Sequence, residues 1–96
     1  MIFDIDFPSL EAAIAAQPEA IAAHLARSKQ FHDDGKLMMA GAFLEPVDMR
    51  LQTMAVLISW EDAEAYIQGD PFVLNGKVRQ WTIRQWATLV AGPKKS

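Results

Sequence analysis

The chain contains no cysteine among its 96 residues. This absence excludes disulfide bonds, thiolate metal sites and a cysteine nucleophile, and it is typical of reducing compartments. No apolar run approaches the ~20 residues that a membrane helix needs. Basic residues are few as well, since nine Lys and Arg stand against twelve Asp and Glu. Proteins that bind phosphate backbones are usually basic, so we expect no nucleic-acid partner and no membrane partner.

Several functional motifs are missing too. The sequence has no glycine-rich phosphate loop, no serine in a GxSxG elbow and no aromatic RNP motif. The opening MIFDIDF lacks the basic lead-in of a secretory signal, so we expect a cytoplasmic protein. Apolar residues make up 51% of the chain and charged residues 22%, as in ordinary globular domains. We predict one domain over residues 1–96, with a flexible tail at about 91–96.

The order of elements predicts the fold class. Hydrophobic periodicity and capping residues indicate strand, helix, strand, strand, helix and strand at 1–7, 18–34, 36–44, 50–60, 60–68 and 77–90. This is the ferredoxin-like β-α-β-β-α-β arrangement, an α+β fold with two helices on one face of a four-stranded antiparallel sheet. The third strand is apolar on both sides, so the second face also needs a cover. We expect a homodimer packed through this open sheet face.

Local signals make finer predictions. Gly41, inside the second strand, indicates a bulge or a close approach of another backbone. Gly69 is expected to end the second helix in the left-handed conformation. Trp81 and Ile83 are the strongest apolar residues of the last strand and are expected to anchor it.

His24 is the first candidate for chemistry. It lies near the centre of the apolar stripe of the main helix, and a histidine exchanges protons near neutral pH. A core histidine with a satisfied hydrogen bond would show the same pattern. Ser28 and Phe31 lie on the same stripe and are expected to help bind a substrate.

Asp70 is the second candidate. It stands between Gly69 and Pro71, and a residue before a helix-opening proline is a natural N-cap. The DPF tripeptide can therefore be purely architectural. The same geometry would also hold a carboxylate rigidly for a neighbouring histidine, with Phe72 beside it as a further substrate-binding residue.

A metal site is not expected. The acidic HDDG at 32–35 is more typical of a solvated helix end than of a ligand set. His24 and His32 are about 12 Å apart along a helix, so they cannot share one ion. We expect no metal and no organic cofactor.

Two long segments resemble the YciI-like, or YCII-related, family over about residues 18–87. They are AAHLARSKQFHDDGKLMMAGAF and SWEDAEAYIQGDPFVLNGKVRQWTIRQW, in which an HL pair, an AG pair and DPF follow in the family's order. The resemblance implies a dimeric α/β barrel whose active site is built on His24 and Asp70. It also implies cofactor-independent acid–base chemistry of lyase, isomerase or dehydrochlorinase type on a small organic substrate.

The chain departs from the family pattern at two positions. Many members have arginine where this chain has Ile21, and proline where it has Ala42. If that arginine binds an anionic substrate in relatives, this contact is absent here. Two other hypotheses stay open: a non-catalytic dimeric module that binds or senses a small molecule, and a structural dimer in which His24 and Asp70 are only architectural.

Overall fold

The computed structural model describes residues 1–91. Within them the strands are Ile2–Ile5 (β1), Leu37–Ala42 (β2), Leu51–Leu57 (β3) and Val78–Thr82 (β4). The helices are Leu10–Ala16 (α1), Pro18–Asp33 (α2), Trp60–Gln68 (α3) and Pro71–Leu74 (α4). The strands form one sheet in the order β2-β3-β1-β4, and every neighbouring pair is antiparallel. The predicted ferredoxin-like α+β fold is confirmed, with α1 and α4 as short additions to the two main helices.

The helix boundaries follow from capping residues. The Ser9 hydroxyl accepts a hydrogen bond from the Ala12 amide at the start of α1, and Ser59 caps α3 in the same way. Pro18 opens α2, where its missing N–H costs nothing. After α2 the backbone turns at Gly35, whose φ of +74° favours glycine. These signals set where α2 stops and β2 begins.

The core lies between the sheet and the helices. Alternation along β1 and β3 points Phe3, Ile5 and Leu51 toward the helices, where all three are buried. Tyr66 and Phe72 meet them from α3 and α4. The sheet side of the candidate site is therefore a closed apolar layer.

The opposite face of the sheet, which we call the open face, is different. The strand registers place Gly41, Met54, Ile2 and Thr82 in one row across it. Apolar side chains on this face stay exposed, and Met39 keeps 59% of its surface. The prediction that β3 carries apolar side chains on both sides is therefore confirmed.

Asp4 also lies on the open face but is buried, which the alternating pattern of β1 did not predict. The Arg50 guanidinium approaches its Oδ2 at 3.5 Å. The residues paired with Asp4 on the two flanking strands are Gln52 and Gln80. The polar half of the open face is thus distinct from the apolar half around Met54.

Four local predictions need correction. The last strand was expected to run to residue 90 but ends at Thr82, because Thr82 pairs with Ile2 and β1 has almost no chain left to pair with. Trp81 is consequently 45% exposed at the sheet edge, whereas Ile83 does pack against the core. The irregularity in β2 falls between Leu37 and Met39 and not at Gly41.

Gly69 is the fourth correction. Its φ is −109°, so it does not adopt the left-handed conformation that was expected at the end of α3. A Cβ at this position would lie 2.6 Å from the Arg27 Nη2 atom. The missing side chain therefore makes room for the Arg27 guanidinium.

Two further expectations concern membrane-spanning helices and the C-terminal tail. None of the helices within residues 1–91 has both the length and the apolar character that a bilayer span requires. The expected tail at about 91–96 falls almost wholly on residues 92–96, which lie outside the described residues. The assignment of all 96 residues to one domain stays a prediction.

Candidate active site

His24 lies in the middle of α2 on the side that faces α3 and α4. The rings of Phe72 and Tyr66 lie beside it, with centroids 5.8 Å and 6.3 Å from the imidazole. Its side chain keeps 19% of its surface accessible. The imidazole is thus supported by aromatic groups on one side and reachable from solvent on the other.

Asp70 is fixed by the start of α4. Pro71 occupies the first helical turn, and Asp70 has the extended backbone of an N-cap. Its Oδ2 atom accepts hydrogen bonds from the amides of Phe72 at 3.0 Å and Val73 at 3.2 Å. Only 3% of the residue is exposed, which is unusual for a carboxylate unless it has partners. The cap leaves its other oxygen aimed at α2.

The two residues meet there. The His24 Nδ1 atom lies 2.6 Å from Asp70 Oδ1, a short distance typical of a charge-assisted hydrogen bond. Because a carboxylate only accepts, Nδ1 carries the hydrogen. The free lone pair of the neutral imidazole is then on Nε2. None of the described side chains forms a hydrogen bond with this atom. This arrangement can take up and return a proton at one defined atom.

A second polar pair lies behind the histidine. The hydroxyls of Ser28 and Tyr66 are 2.6 Å apart and buried between α2 and α3. Burial raises the pKa of Tyr66 above its ordinary value near 10; the Asp70 charge adds to this rise, while the Ser28 hydrogen bond and Arg27 oppose it. Tyr66 is therefore a neutral phenol near neutral pH.

Arg27 ties α2 to the end of α3. Its guanidinium donates to the carbonyl oxygens of Tyr66 and Ala65, each at 2.6 Å. These carbonyls lie in the last turn of α3, where a cation also interacts favourably with the helix dipole. The same guanidinium lies 4.7 Å from the centre of the Phe31 ring. Arg27 thus fixes the distance between the two helices that carry His24 and Tyr66.

The predicted substrate-binding residues occupy different positions around the pair. Phe72 and Ser28 are buried, so they support the imidazole and Tyr66 from within. Phe31 is half-buried and stacks edge-on against Tyr66, with ring centroids 5.2 Å apart. Their part in substrate binding stays a prediction.

The other predicted polar cluster lies apart from this site. His32 and Asp33 are exposed at the end of α2, and their closest atoms are 4.0 Å apart. Within residues 1–91, no three histidine or acidic side chains converge to hold a metal ion.

Two residues of the site, Tyr66 and Arg27, were not predicted from the sequence. Tyr66 is the single tyrosine of the chain, and it shares a helical face with Ala63 and Ile67. That spacing marks it as buried, and a buried phenol needs a hydrogen-bond partner. Nothing in the sequence indicates that the partner is Ser28. The position of Arg27 depends on Gly69, which lies 42 residues away.

A family model and a solved structure match the chain and show its family and its fold. The model of the YCII-related domain matches residues 8–87. The chain is similar in structure to 5-chloro-2-hydroxyhydroquinone dehydrochlorinase from Burkholderia phenoliruptrix AC1100, solved in complex with 2,5-dihydroxybenzoquinone. The two are 22% identical with a TM-score of 0.52, over 91% of this chain and 94% of the other. None of the curated proteins matches the chain significantly.

Proposed function

This chain belongs to the family of YCII-related domains, and from that premise we propose that it is a small enzyme that moves protons with His24 and Asp70. The reaction is of lyase, isomerase or dehydrochlorinase type, and it needs no cofactor. The observation that carries the proposal is the 2.6 Å contact from Nδ1 to Oδ1, made by a carboxylate whose second oxygen caps α4. A purely architectural N-cap does not require a histidine at its other oxygen.

The chemistry follows from the two nitrogens of the imidazole. Nε2 removes a proton from the substrate, and Asp70 stabilises the imidazolium that results. In an elimination, the electron pair of the broken C–H or O–H bond forms the new C=C or C=O double bond. Chloride departs with its own electron pair from a tetrahedral carbon, which a chlorinated quinol has in its keto tautomer, and Nε2 later releases the proton to water. In an isomerisation, Nε2 returns the proton to another atom of the substrate. Such a positioned base contributes ~10²–10⁴-fold to the rate.

The substrate class is proposed from the surroundings of His24 and from the structural neighbour. The supporting groups are aromatic, and the Arg27 guanidinium beside the Tyr66 ring already binds two backbone carbonyls. A small cyclic compound with hydroxyl or keto groups suits this environment better than a strongly anionic one. Chlorinated and hydroxylated quinols are therefore the first compounds to test.

The test uses 5-chloro-2-hydroxyhydroquinone as substrate and 2,5-dihydroxybenzoquinone as ligand. We expect the wild type to release chloride from the first, and the His24→Gln variant to do so ~10²–10⁴-fold more slowly. His32→Gln is the matched control, since it changes the other histidine of the same helix. Chloride release at the same rate by wild type and His24→Gln would refute the proposed mechanism. Binding without turnover, unaffected by the substitution, would favour the non-catalytic binding module.

We also propose that the protein is a homodimer packed through its open face and that it works in the cytoplasm. Support for the dimer comes from the exposed apolar side chains of that face, among them Ile2, Met39 and Met54. Stable interfaces bury about 800 Å² on each partner. Sedimentation velocity at micromolar concentration should therefore give a dimer, and a monomer would contradict this part of the proposal.

A further inference from the structure

The chain that follows β4 exposes apolar side chains. We call residues 83–90, IRQWATLV, the arm. The arm has no partner strand among the described residues, and Trp86, Leu89 and Val90 keep 79%, 91% and 92% of their surface exposed. Fully burying one tryptophan removes ~150–250 Å² from water, so this segment gains substantially from any apolar surface it can reach.

The open face has a hollow with matching chemistry. The hollow has a volume of about 210 Å³ and is lined by Met39, Ala40, Gly41, Ala42, Phe43 and Met54. Its volume is far above the ~15 Å³ that one water needs, so it can accept a side chain. Two methionines and a phenylalanine at its rim suit an aromatic ring, because thioether sulfurs make favourable contacts with aromatic groups.

Gly41, in the lining of this hollow, has no explanation within its own chain. Only Gly35 and Gly76 among the described glycines have a positive φ, so the backbone at Gly41 does not require glycine. A Cβ there would meet no atom within 4 Å, so packing does not require it either. Glycine also weakens a strand interior. The missing side chain leaves space for a group from outside the subunit.

The arm and the hollow lie at the same end of the open face. Thr82, where the arm begins, shares one register row with Ile2, Met54 and Gly41. Three strand spacings of ~4.8 Å separate the arm from the hollow, or about 14 Å. Within one subunit the arm would have to cross the open face, which a second copy covers in the proposed dimer.

We propose that the arm of each subunit docks on its partner, with Trp86 in the Gly41 hollow of the other chain. This inference rests on the homodimer of the proposed function. Each chain has one arm and one hollow, so a two-fold axis makes two identical contacts and closes the assembly. The exchange accounts for the apolar arm, the exposed Met39 and the unexplained glycine together.

The experiment compares dimer dissociation constants for wild type, Trp86→Ala and Gly41→Val. Each substitution should raise the Kd at least about 30-fold, as the loss of a buried interface tryptophan does. Valine suits a strand and meets open space at this position, so Gly41→Val should fold. Phe43→Ala, which removes a wall of the hollow, is a second variant. Trp60→Ala, at an exposed tryptophan on α3, is the matched control and should leave the Kd unchanged.

Mixing the variants distinguishes exchange between subunits from docking within one. A heterodimer of Trp86→Ala with Gly41→Val keeps one intact arm and one intact hollow on different chains. We therefore expect the mixture to associate more tightly than either variant alone. If each variant weakens the dimer but the mixture shows no recovery, the arm docks on its own chain and the proposal is overturned.

Two other results would also overturn the exchange, and they separate it from the proposed function. If neither variant changes the Kd of a dimeric wild type, the homodimer stands and the arm exchange is wrong. If the wild type is a monomer, the homodimer and the exchange are both wrong, whereas the His24→Gln test of the enzyme is unaffected.

Discussion

The helix-covered side of the sheet and the apolar half of its open face differ in how completely their side chains are buried. On the helix-covered side, the carboxylate of Asp70 is almost wholly buried, because two backbone amides and His24 satisfy its oxygens. On the open face, the apolar Met39 and Met54 remain exposed. The helix-covered side is closed by contacts within the chain, whereas the apolar side chains of the open face lack such a cover among the described residues. A site that must hold an imidazole steady while it accepts and returns a proton belongs on the helix-covered side.

The largest expected difference is in turnover, between a substitution at His24 and one on the open face. His24→Gln keeps a side chain of similar size but cannot accept and return a proton, so turnover should fall ~10²–10⁴-fold. Met54→Gln, on the open face, should leave turnover within a factor of a few of the wild-type value. Equal losses from the two substitutions would show that the open face takes part in the chemistry. Chloride release under saturating substrate is the measurement.

The next largest effect concerns the free energy of unfolding, compared at a buried and at an exposed leucine. Leu51→Ala removes a fully buried side chain beneath the helices and should lower the free energy of unfolding by about 2–5 kcal/mol. Leu44→Ala, at an exposed position after β2, should change it by less than about 0.5 kcal/mol. Urea titrations of both variants provide the comparison. Similar costs at the two positions would mean that Leu44 is covered in solution.

Asp70 joins architecture and chemistry, and two substitutions separate them. Asp70→Ala loses the N-cap and leaves His24 Nδ1 unpaired, at a cost of about 2–4 kcal/mol. Asp70→Asn keeps an oxygen to cap α4 and should cost much less. Its amide donates to Nδ1, however, which moves the hydrogen to Nε2 and removes the free lone pair. Asp70→Asn should therefore fold well and turn over poorly; full activity in this variant would contradict the assigned tautomer.

A smaller effect is expected where Gly69 makes room for Arg27. Gly69→Ala displaces the guanidinium from the carbonyls of Ala65 and Tyr66. In an Arg27→Ala background the same change meets no obstacle and reduces the entropy of the unfolded chain, so it should stabilise by ~0.4–1 kcal/mol. Thermal or urea unfolding of the four proteins in this double-mutant cycle should give a coupling of about 1 kcal/mol. Additive effects would show that the guanidinium does not depend on the glycine.

The smallest effect concerns alkaline pH. Burial raises the pKa of Tyr66 in the folded protein, so the unfolded chain loses this proton first as the pH rises. Between the unfolded and folded pKa values the native state binds more protons, and stability falls with increasing pH. The free energy of unfolding should therefore begin to decline near pH 10, and Tyr66→Phe should decline less. Parallel curves for the two proteins would mean that the phenol is not held neutral.

The fold was largely predictable because its signals are local. Three helices begin at residues that favour a helix start, namely Ser9, Pro18 and Ser59. Alternation in β1 identifies Phe3 and Ile5 as core residues. The length of β4 was not predictable, since it depends on where its partner β1 begins. The exposure of Trp81 was not predictable for a similar reason. Its position in the alternating pattern is that of a core residue, but its strand lies at the edge of the sheet.

For the candidate site, the sequence indicated His24 and Asp70 individually but not that their side chains are in contact. His24 follows from the stripe of α2, and Asp70 follows from the capping geometry before Pro71. That Nδ1 meets Oδ1 depends on how α2 packs against α4, which no short stretch encodes. Arg27 was missed for the same reason, because its role needs the glycine at the far end of α3. Asp4 was assigned to the open face by alternation, but its burial there was not foreseen.

The availability of His24 Nε2 as a base is tested most directly by ¹H–¹⁵N NMR of the two imidazole rings. Spectra at a pH where His24 is neutral, with and without 2,5-dihydroxybenzoquinone, report which nitrogen holds the hydrogen. We expect His24 to carry it on Nδ1, and we expect the Nε2 resonance to shift when the ligand is added while His32 stays unchanged. A hydrogen on Nε2 of His24, or a ligand that leaves both rings undisturbed, would contradict the account.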